Sequence, residues 1–491
     1  MLLRRDLTFT AAVLALAAYP LGVRAHEPHV CPPDLPDTPA FTGHIEQDDI
    51  VAGAFRLSEL FDIGQALFVA VFNVCDGQGR PASTGTGAPR VPDQPAFIRT
   101  SSPDSNACAG CHAQPRAGGG GDFVANVFVL AQALDPVTFS VGPEDSNERN
   151  TLGMFGSGAI EMLAREMSTE LLAIQDAAVA DAVDGDSPVT RDLIAKGVDF
   201  GDITGMPDGS VDVSAVKGID ADLVIKPFHQ AGVVTSLRQF TDNAFNHHHG
   251  MQATERFGPD PDADLDGVED ELSVGDITAV TLFQAALGVP GRMLPADPSA
   301  RAKVNHGEML FADIGCAGCH TPELILDSRD FVEPNPFNPE GTFADTSQSF
   351  SFDMTKKGEM PRLEKAKGGG AIVRAYTDLK RHNLCDEETD PDPISFYCNE
   401  LLGQGRPEED GRPGAEFFIT RKLWDVGNSA PYGHRGDLTT IAEAILMHAG
   451  QARPSRDAFA GLLIEAQKDI VNFLKTLQVL PPNSPRVVVA N

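Results

Sequence analysis

The chain has 491 residues and carries 38 Lys and Arg against 70 Asp and Glu, a formal net charge of -32. Such a surface repels nucleic acid and anionic lipid and attracts basic partners. The length allows two or three domains, and beyond the first 25 residues no apolar stretch approaches the length of a membrane span.

Residues 1–25 read as an export signal: Arg4 and Arg5, an apolar run from Leu7 to Ala18, and a cleavage site at Val23-Arg24-Ala25. The run is too short to cross a bilayer. The mature protein is therefore expected to be periplasmic and not an integral membrane protein. Ser58 to Val74 predicts a helix, apolar at Leu60, Phe61, Ile63, Leu67 and Val71. Next comes Cys108-Ala109-Gly110-Cys111-His112, and the same five residues recur as Cys316-Ala317-Gly318-Cys319-His320. Each is a c-type haem attachment motif. One turn of chain presents both sulfurs to one porphyrin edge, and the histidine that follows supplies a nitrogen to iron. A structural zinc site needs four ligands, and one such motif offers at most three. A thioredoxin-type CxxC needs a βαβ setting, which is absent here. Two covalently bound haem c groups are the expectation.

Gly118 to Gly121 is a glycine run, fit for a close backbone approach or for a plain turn. Ala159 to Val183 predicts a long Ala-rich helix. Residues 185–270 read as a small inserted β-containing lobe, with Asp222 to Phe228 one of its strand-like stretches. His247, His248 and His249 are adjacent, so they cannot all reach one metal. Asp262, Asp264, Asp266 and Gly267 resemble the start of a calcium loop, with Asp270 at the ninth place. Ser273 stands at the twelfth place, where a bidentate Glu is expected, and a solvated acidic turn is the competing reading. A helix over Ser299 to Phe311 leads into the second motif. The segment 326–420 reads as loop. Asp437-Leu438-Thr439-Thr440 offers an N-cap for a helix through His448, and Arg456 to Leu477 predicts the last helix. The expected fold is mainly α: two cytochrome c-like helical haem domains, residues 26–290 and 291–491, with long loops and the small lobe. Cys31, Cys75, Cys385 and Cys398 remain, an even number that suggests two disulfides in an oxidising compartment.

The stretch Ala430-Pro431-Tyr432-Gly433-His434-Arg435-Gly436, followed by Thr440-Ile441-Ala442-Glu443-Ala444-Ile445, resembles the C-terminal half of bacterial di-haem cytochrome c peroxidases. Three further segments resemble the di-haem oxidoreductase family, whose members are described as peroxidases or thiol oxidoreductases. They are Ala375 to His382, Thr420 to Trp424, and Met447 to Gly450. The resemblance covers most of residues 100–480. It implies a sixth ligand for the second haem on the helix after His434. Fourteen residues on, where the peroxidases carry methionine, this chain has His448. Bis-histidine coordination would close that iron to substrate and lower its potential relative to a His/Met pair.

Where the peroxidases place the first haem's distal histidine, this chain has Phe128. The resemblance thus implies an open iron at His112, unless one of His247, His248 or His249 folds back onto it. An open iron needs an acid–base group beside it. Glu161, after the Gly156-Ser157-Gly158 turn, is the first candidate, with His248 and His249 as rivals. Trp424 is expected at a haem edge or between the haems. Tyr376 and His382 are expected to line a haem pocket, and Arg381 and Arg435 to pair with propionates. Three functions follow: a peroxidase reducing hydrogen peroxide with electrons from a basic cytochrome, a dioxygen-using oxygenase of an organic substrate, and an electron carrier with two closed haems.

Overall fold

Helix α1 (Leu57–Val69) buries Leu60, Gly64, Leu67 and Phe68, and Glu59 accepts from the Arg56 backbone N–H at 2.8 Å at its start. The computed structural model that contains it describes residues 31, 36–79, 105–121, 124–127, 147–259, 262, 267–398, 414 and 416–490. The export segment, Phe128, Asp264 and Asp266 lie outside the described residues. Helix α2 (Ser157–Gly185) covers the long Ala-rich stretch, and α5 (Pro298–Asp313) leads into the second CAGCH motif.

Among the described residues, two helices of eight residues or more escaped the sequence reading. In α4 (Val274–Ala286), every residue from Gly275 onward is buried, so it has no polar face and no amphipathic period. Ser273 caps it: its Oγ accepts from the Asp276 N–H at 3.0 Å, and Asp276 accepts from the Ser273 N–H at 3.0 Å. In α3 (Leu237–Ala244) the buried face carries Arg238 and Asp242, residues that a search for apolar spacing passes over. The helix expected through His448 is shorter, α6 (Ile441–Leu446), with Thr440 as its cap. The expected last helix is two, α7 (Arg453–Gly461) and α8 (Ile464–Lys475), parted at Leu462-Leu463.

With 36% helix and 16% strand, the fold is mixed α and β rather than mainly α. The strands are short and sit where Gly, Pro and Asp interrupt the pattern. In the lobe, β1 (Val189–Ala195) and β2 (Val198–Gly205) form an antiparallel hairpin. Its turn is Lys196-Gly197, both at positive φ (47° and 83°), which suits the twist of a two-residue hairpin. Asp222 to Phe228 is irregular apart from one bridge, Phe228 to Val234. The segment read as loop holds small antiparallel pairs, among them Asp330–Glu333 with Phe350–Asp353 and Arg381–Asn383 with Phe417–Ile419. The largest core cluster joins Ile160, Leu163 and Met167 of α2 to Leu324, Phe331, Phe352, Val373 and Trp424, so it draws on both sides of residue 290. Disulfides join Cys31 to Cys75 and Cys385 to Cys398.

A buried charged cluster anchors α3. Arg238, with no exposed side chain, donates to Glu255 (2.9 Å), Glu333 (3.0 Å), Thr278 (2.8 Å) and the Val274 carbonyl (3.0 Å). One turn on, burial and the neighbouring Glu255 carboxyl push the Asp242 acid well above its ordinary range. Burial likewise pushes Glu333 up to about 7, against the opposing pull of Arg238.

Glu333 thus binds its proton more tightly in the folded chain than in the unfolded one. Its contribution to stability is fully present below about 4.5 and is lost as pH rises to about 7. Glu333→Gln is predicted to flatten this decline, by up to ~3 kcal/mol. Urea unfolding of both proteins across that window measures it, and identical slopes would refute the assignment.

Candidate functional site

Both CAGCH motifs open into one cavity of about 910 Å³. Cys108, Cys111, Cys316 and Cys319, the four cysteines outside the disulfides, all line it. Burial pushes the Cys108 thiol up to about 12 and Cys316 to about 11.

The histidines of the motifs are held alike. His112 Nδ1 lies 3.0 Å from the Leu152 carbonyl, and His320 Nδ1 lies 3.1 Å from that of Tyr376. His448 Nδ1 lies 2.7 Å from the Ala444 carbonyl, one helical turn back. A carbonyl only accepts, so each Nδ1 carries the proton and each Nε2 keeps its lone pair. This is how proteins set the tautomer of a metal-binding imidazole. Burial lowers all three, His112 and His320 to about 4, which keeps them neutral.

The rings of His320 and His448 stand 6.4 Å apart, centre to centre. Two imidazoles on one metal, at about 2.0–2.1 Å per bond with roughly 1.1 Å from nitrogen to ring centre, need about 6.3 Å. The pair therefore fits an iron between them. His112 contacts the Phe68 ring at 6.3 Å, and among the described residues no imidazole pairs with it as His448 does with His320. His248 lies on the cavity wall, close enough to depress the basicity of His112.

His247, His248 and His249 belong to a single π-turn, Phe245–His249, that continues α3. Such turns are frequent at functional sites. His249 is buried with both nitrogens engaged: Nδ1 donates to the Ser105 carbonyl at 2.7 Å, and Nε2 is 3.3 Å from Cys108 Sγ. Glu161 is fully buried behind the wall. One oxygen accepts from the Leu237 N–H at 2.8 Å and the other from Asn335 at 2.9 Å. It pins the start of α3 and is not among the lining residues, which argues against the acid–base role expected of it. Trp424 is likewise off the wall. It packs in the core over Gly156, where φ is 76° and a Cβ would come within 2.3 Å of the indole.

The segment around Trp424 joins the two motif regions. Lys422 donates to the Gly153 and Phe155 carbonyls at 2.7 and 3.3 Å, beside Leu152. Leu423 N–H donates to the Ala375 carbonyl at 2.9 Å, beside Tyr376. Tyr376 and Leu379 both sit at positive φ (55° and 56°), a strained backbone that turns the Tyr376 carbonyl to His320.

Other expected residues are placed differently. Arg381 pairs with buried Asp220, and Arg435 with Asp437 at 3.2 Å, so neither lines the cavity. Arg421 does line it, 3.8 Å from Asp425, and its type alone gave no sign of this. His382, Asp378 and Cys319 cluster within 4.8 Å. Burial alone would lower His382, but the Asp378 carboxylate at 2.8 Å outweighs it and holds it above its ordinary value. Cys319 belongs to the second CAGCH, and a thioether there would not act as a thiolate ligand. Of the calcium candidates, Asp262 accepts from the Gly267 N–H at 3.0 Å and Asp270 sits at φ 50°. His434 lies among Phe396, Tyr397 and Phe418, each ring 5.1–5.2 Å away.

No family model matches the chain, and no curated protein matches it. Among solved structures it is similar to hydrazine synthase of Kuenenia stuttgartiensis, pressurised with 20 bar xenon, at 14% identity and a TM-score of 0.38, over 96% of this chain and 100% of that one. It is also similar to a MauG-like protein associated with microbial copper homeostasis, at 17% identity and a TM-score of 0.24, over 55% of this chain and 75% of that one. Likenesses this distant establish neither fold nor function for this chain.

Proposed function

We propose that the chain is an exported di-haem c-type oxidoreductase that reduces hydrogen peroxide on the His112 side of the cavity and receives electrons through the His320/His448 side. The observation that carries this is the asymmetry between the two sides: His320 faces a second imidazole at 6.4 Å, and His112 has no such partner among the described residues. Haem supplies one-electron chemistry and, where a coordination position is vacant, a place for a small oxidant.

The chain's own residues do the rest. Cys108 with Cys111, and Cys316 with Cys319, would hold the haem groups as thioethers. His112, His320 and His448 present fixed lone pairs. Lys422 and Leu423 tie the segment around Trp424 to both histidine-bearing turns, and Tyr397 stands edge-on to His448 at 6.3 Å, with Phe418 and Ile441 on the same cavity wall. Each peroxide consumes two electrons and two protons and yields two waters. The electrons come from an external donor, and a net charge of -32 favours a basic cytochrome. Two disulfides are in keeping with a periplasmic location.

Oxygenation of an organic substrate with dioxygen is the second reading. The size of the cavity favours it, as do Phe68, Ile160, Phe228, Val233 and Phe240 along its wall.

Electron paramagnetic resonance of the ferric holoprotein is predicted to show one high-spin and one low-spin centre. His448→Ala should convert the low-spin signal to high-spin. Two low-spin centres in the wild type would favour an electron carrier, and an unchanged low-spin signal in the variant would remove His448 as ligand. Turnover of peroxide by the wild type with a reduced cytochrome should exceed any dioxygen consumption with organic substrates; the reverse would favour the oxygenase.

A further inference from the structure

We propose that His229 is the acid–base residue of the cavity, taking a proton from the small molecule bound opposite His112 and returning it. This rests on the reading of an open position at His112. It assigns the proton-handling role to a residue that the sequence did not single out.

Four observations converge on it. His229 lines the same cavity as His112. Its Nδ1 is buried with no hydrogen-bond partner among the described residues, whereas His112, His249, His320 and His448 each have one. A buried polar atom left unpaired costs about 1–3 kcal/mol, and a bound ligand or a reaction is among the reasons native structures keep one. Its backbone sits at φ 67°, in the left-handed region that residues other than glycine seldom adopt. The turn enforces this, through Phe228 N–H to the Val234 carbonyl at 3.2 Å and Gly232 N–H to the His229 carbonyl at 3.2 Å. Strain of this kind collects at functional sites. Finally, the charged and titratable groups facing it are Arg149, from the strand before α2, and His247 and His248, from the π-turn. Burial and these groups hold the imidazole well below its ordinary range, so it is neutral before the reaction.

Two of the alternatives are held by other groups. Both oxygens of Glu161 are engaged, and His249 is buried with its Nδ1 held by the Ser105 carbonyl. His248 is the remaining rival.

For peroxide the step balances as follows. The O–H bond of the oxygen nearer His112 breaks and its proton passes to His229. The O–O bond then breaks, and the departing oxygen keeps the electron pair, takes that proton and leaves as water. Two electrons from the external donor and two protons from solvent reduce the other oxygen to a second water.

Hydrogen cyanide is the probe, because it must lose its proton to bind ferric iron and needs no turnover. Stopped-flow mixing of cyanide with the ferric holoprotein near neutral pH reads the step. His229→Asn tolerates the left-handed backbone and carries no base. It is expected to slow binding by ~10²-fold while leaving the unliganded resonance spectrum unchanged. His229→Gln should behave alike, and His248→Phe should have a smaller effect. Wild-type protein that binds no cyanide and shows no high-spin centre would sink the open-position reading itself. Wild-type binding that both His229 variants match in rate would overturn the proposal alone. So would a slowing seen only in His248→Phe.

Discussion

A backbone carbonyl accepts the Nδ1 proton of His112, of His320 and of His448, and the geometry of the cavity follows from those three bonds. An imidazole can rotate about two side-chain torsions and exists in two neutral forms. One hydrogen bond to a fixed carbonyl removes the rotation and selects the form. For His448 the carbonyl is Ala444, in the short helix α6 that ends two residues before it, so the bond is local. For His112 and His320 the carbonyls belong to Leu152 and Tyr376, distant in sequence, and must be brought up by the surrounding packing. The strained turn at Tyr376 and the close seat of Trp424 over Gly156 belong to that packing.

The opposite wall of the cavity has its own anchor. Helix α3 turns Leu237, Phe240 and Thr241 toward the cavity and Arg238 and Asp242 away from it. The hidden face is fixed by Glu161, Glu255, Glu333 and Thr278. Removing one member of such a network leaves a buried charge without its counterpart, which is far more costly than never having the network. The π-turn that carries the three histidines is the direct continuation of this helix, so their placement inherits its rigidity.

The sequence spoke clearly where chemistry dictates spacing. Two cysteines and a histidine at fixed offsets marked both motifs, and Ala-rich or apolar periods marked α1, α2 and α5. His448 was legible only through its distance from His434. It was silent where burial overrides pattern. Helix α4 has no polar stripe to reveal it. The short strands of residues 324–373 lie between glycines and prolines that read as loop. Glu161 read as an acid–base group beside the open iron, because nothing local told of Leu237 and Asn335 closing over it. His229 could not be found at all, since a left-handed histidine with a bare nitrogen is visible only once the chain is folded.

The strap from Thr420 to Asp425 has a consequence for the architecture as a whole. Lys422 reaches into the N-terminal half, Leu423 into the C-terminal half, and Trp424 fills the core between them. The halves are therefore not interchangeable modules like beads on a string. A shove on either histidine-bearing turn is felt by the other through a lever three residues long, and severing the polypeptide near residue 290 would strand each fragment with an open, greasy seam.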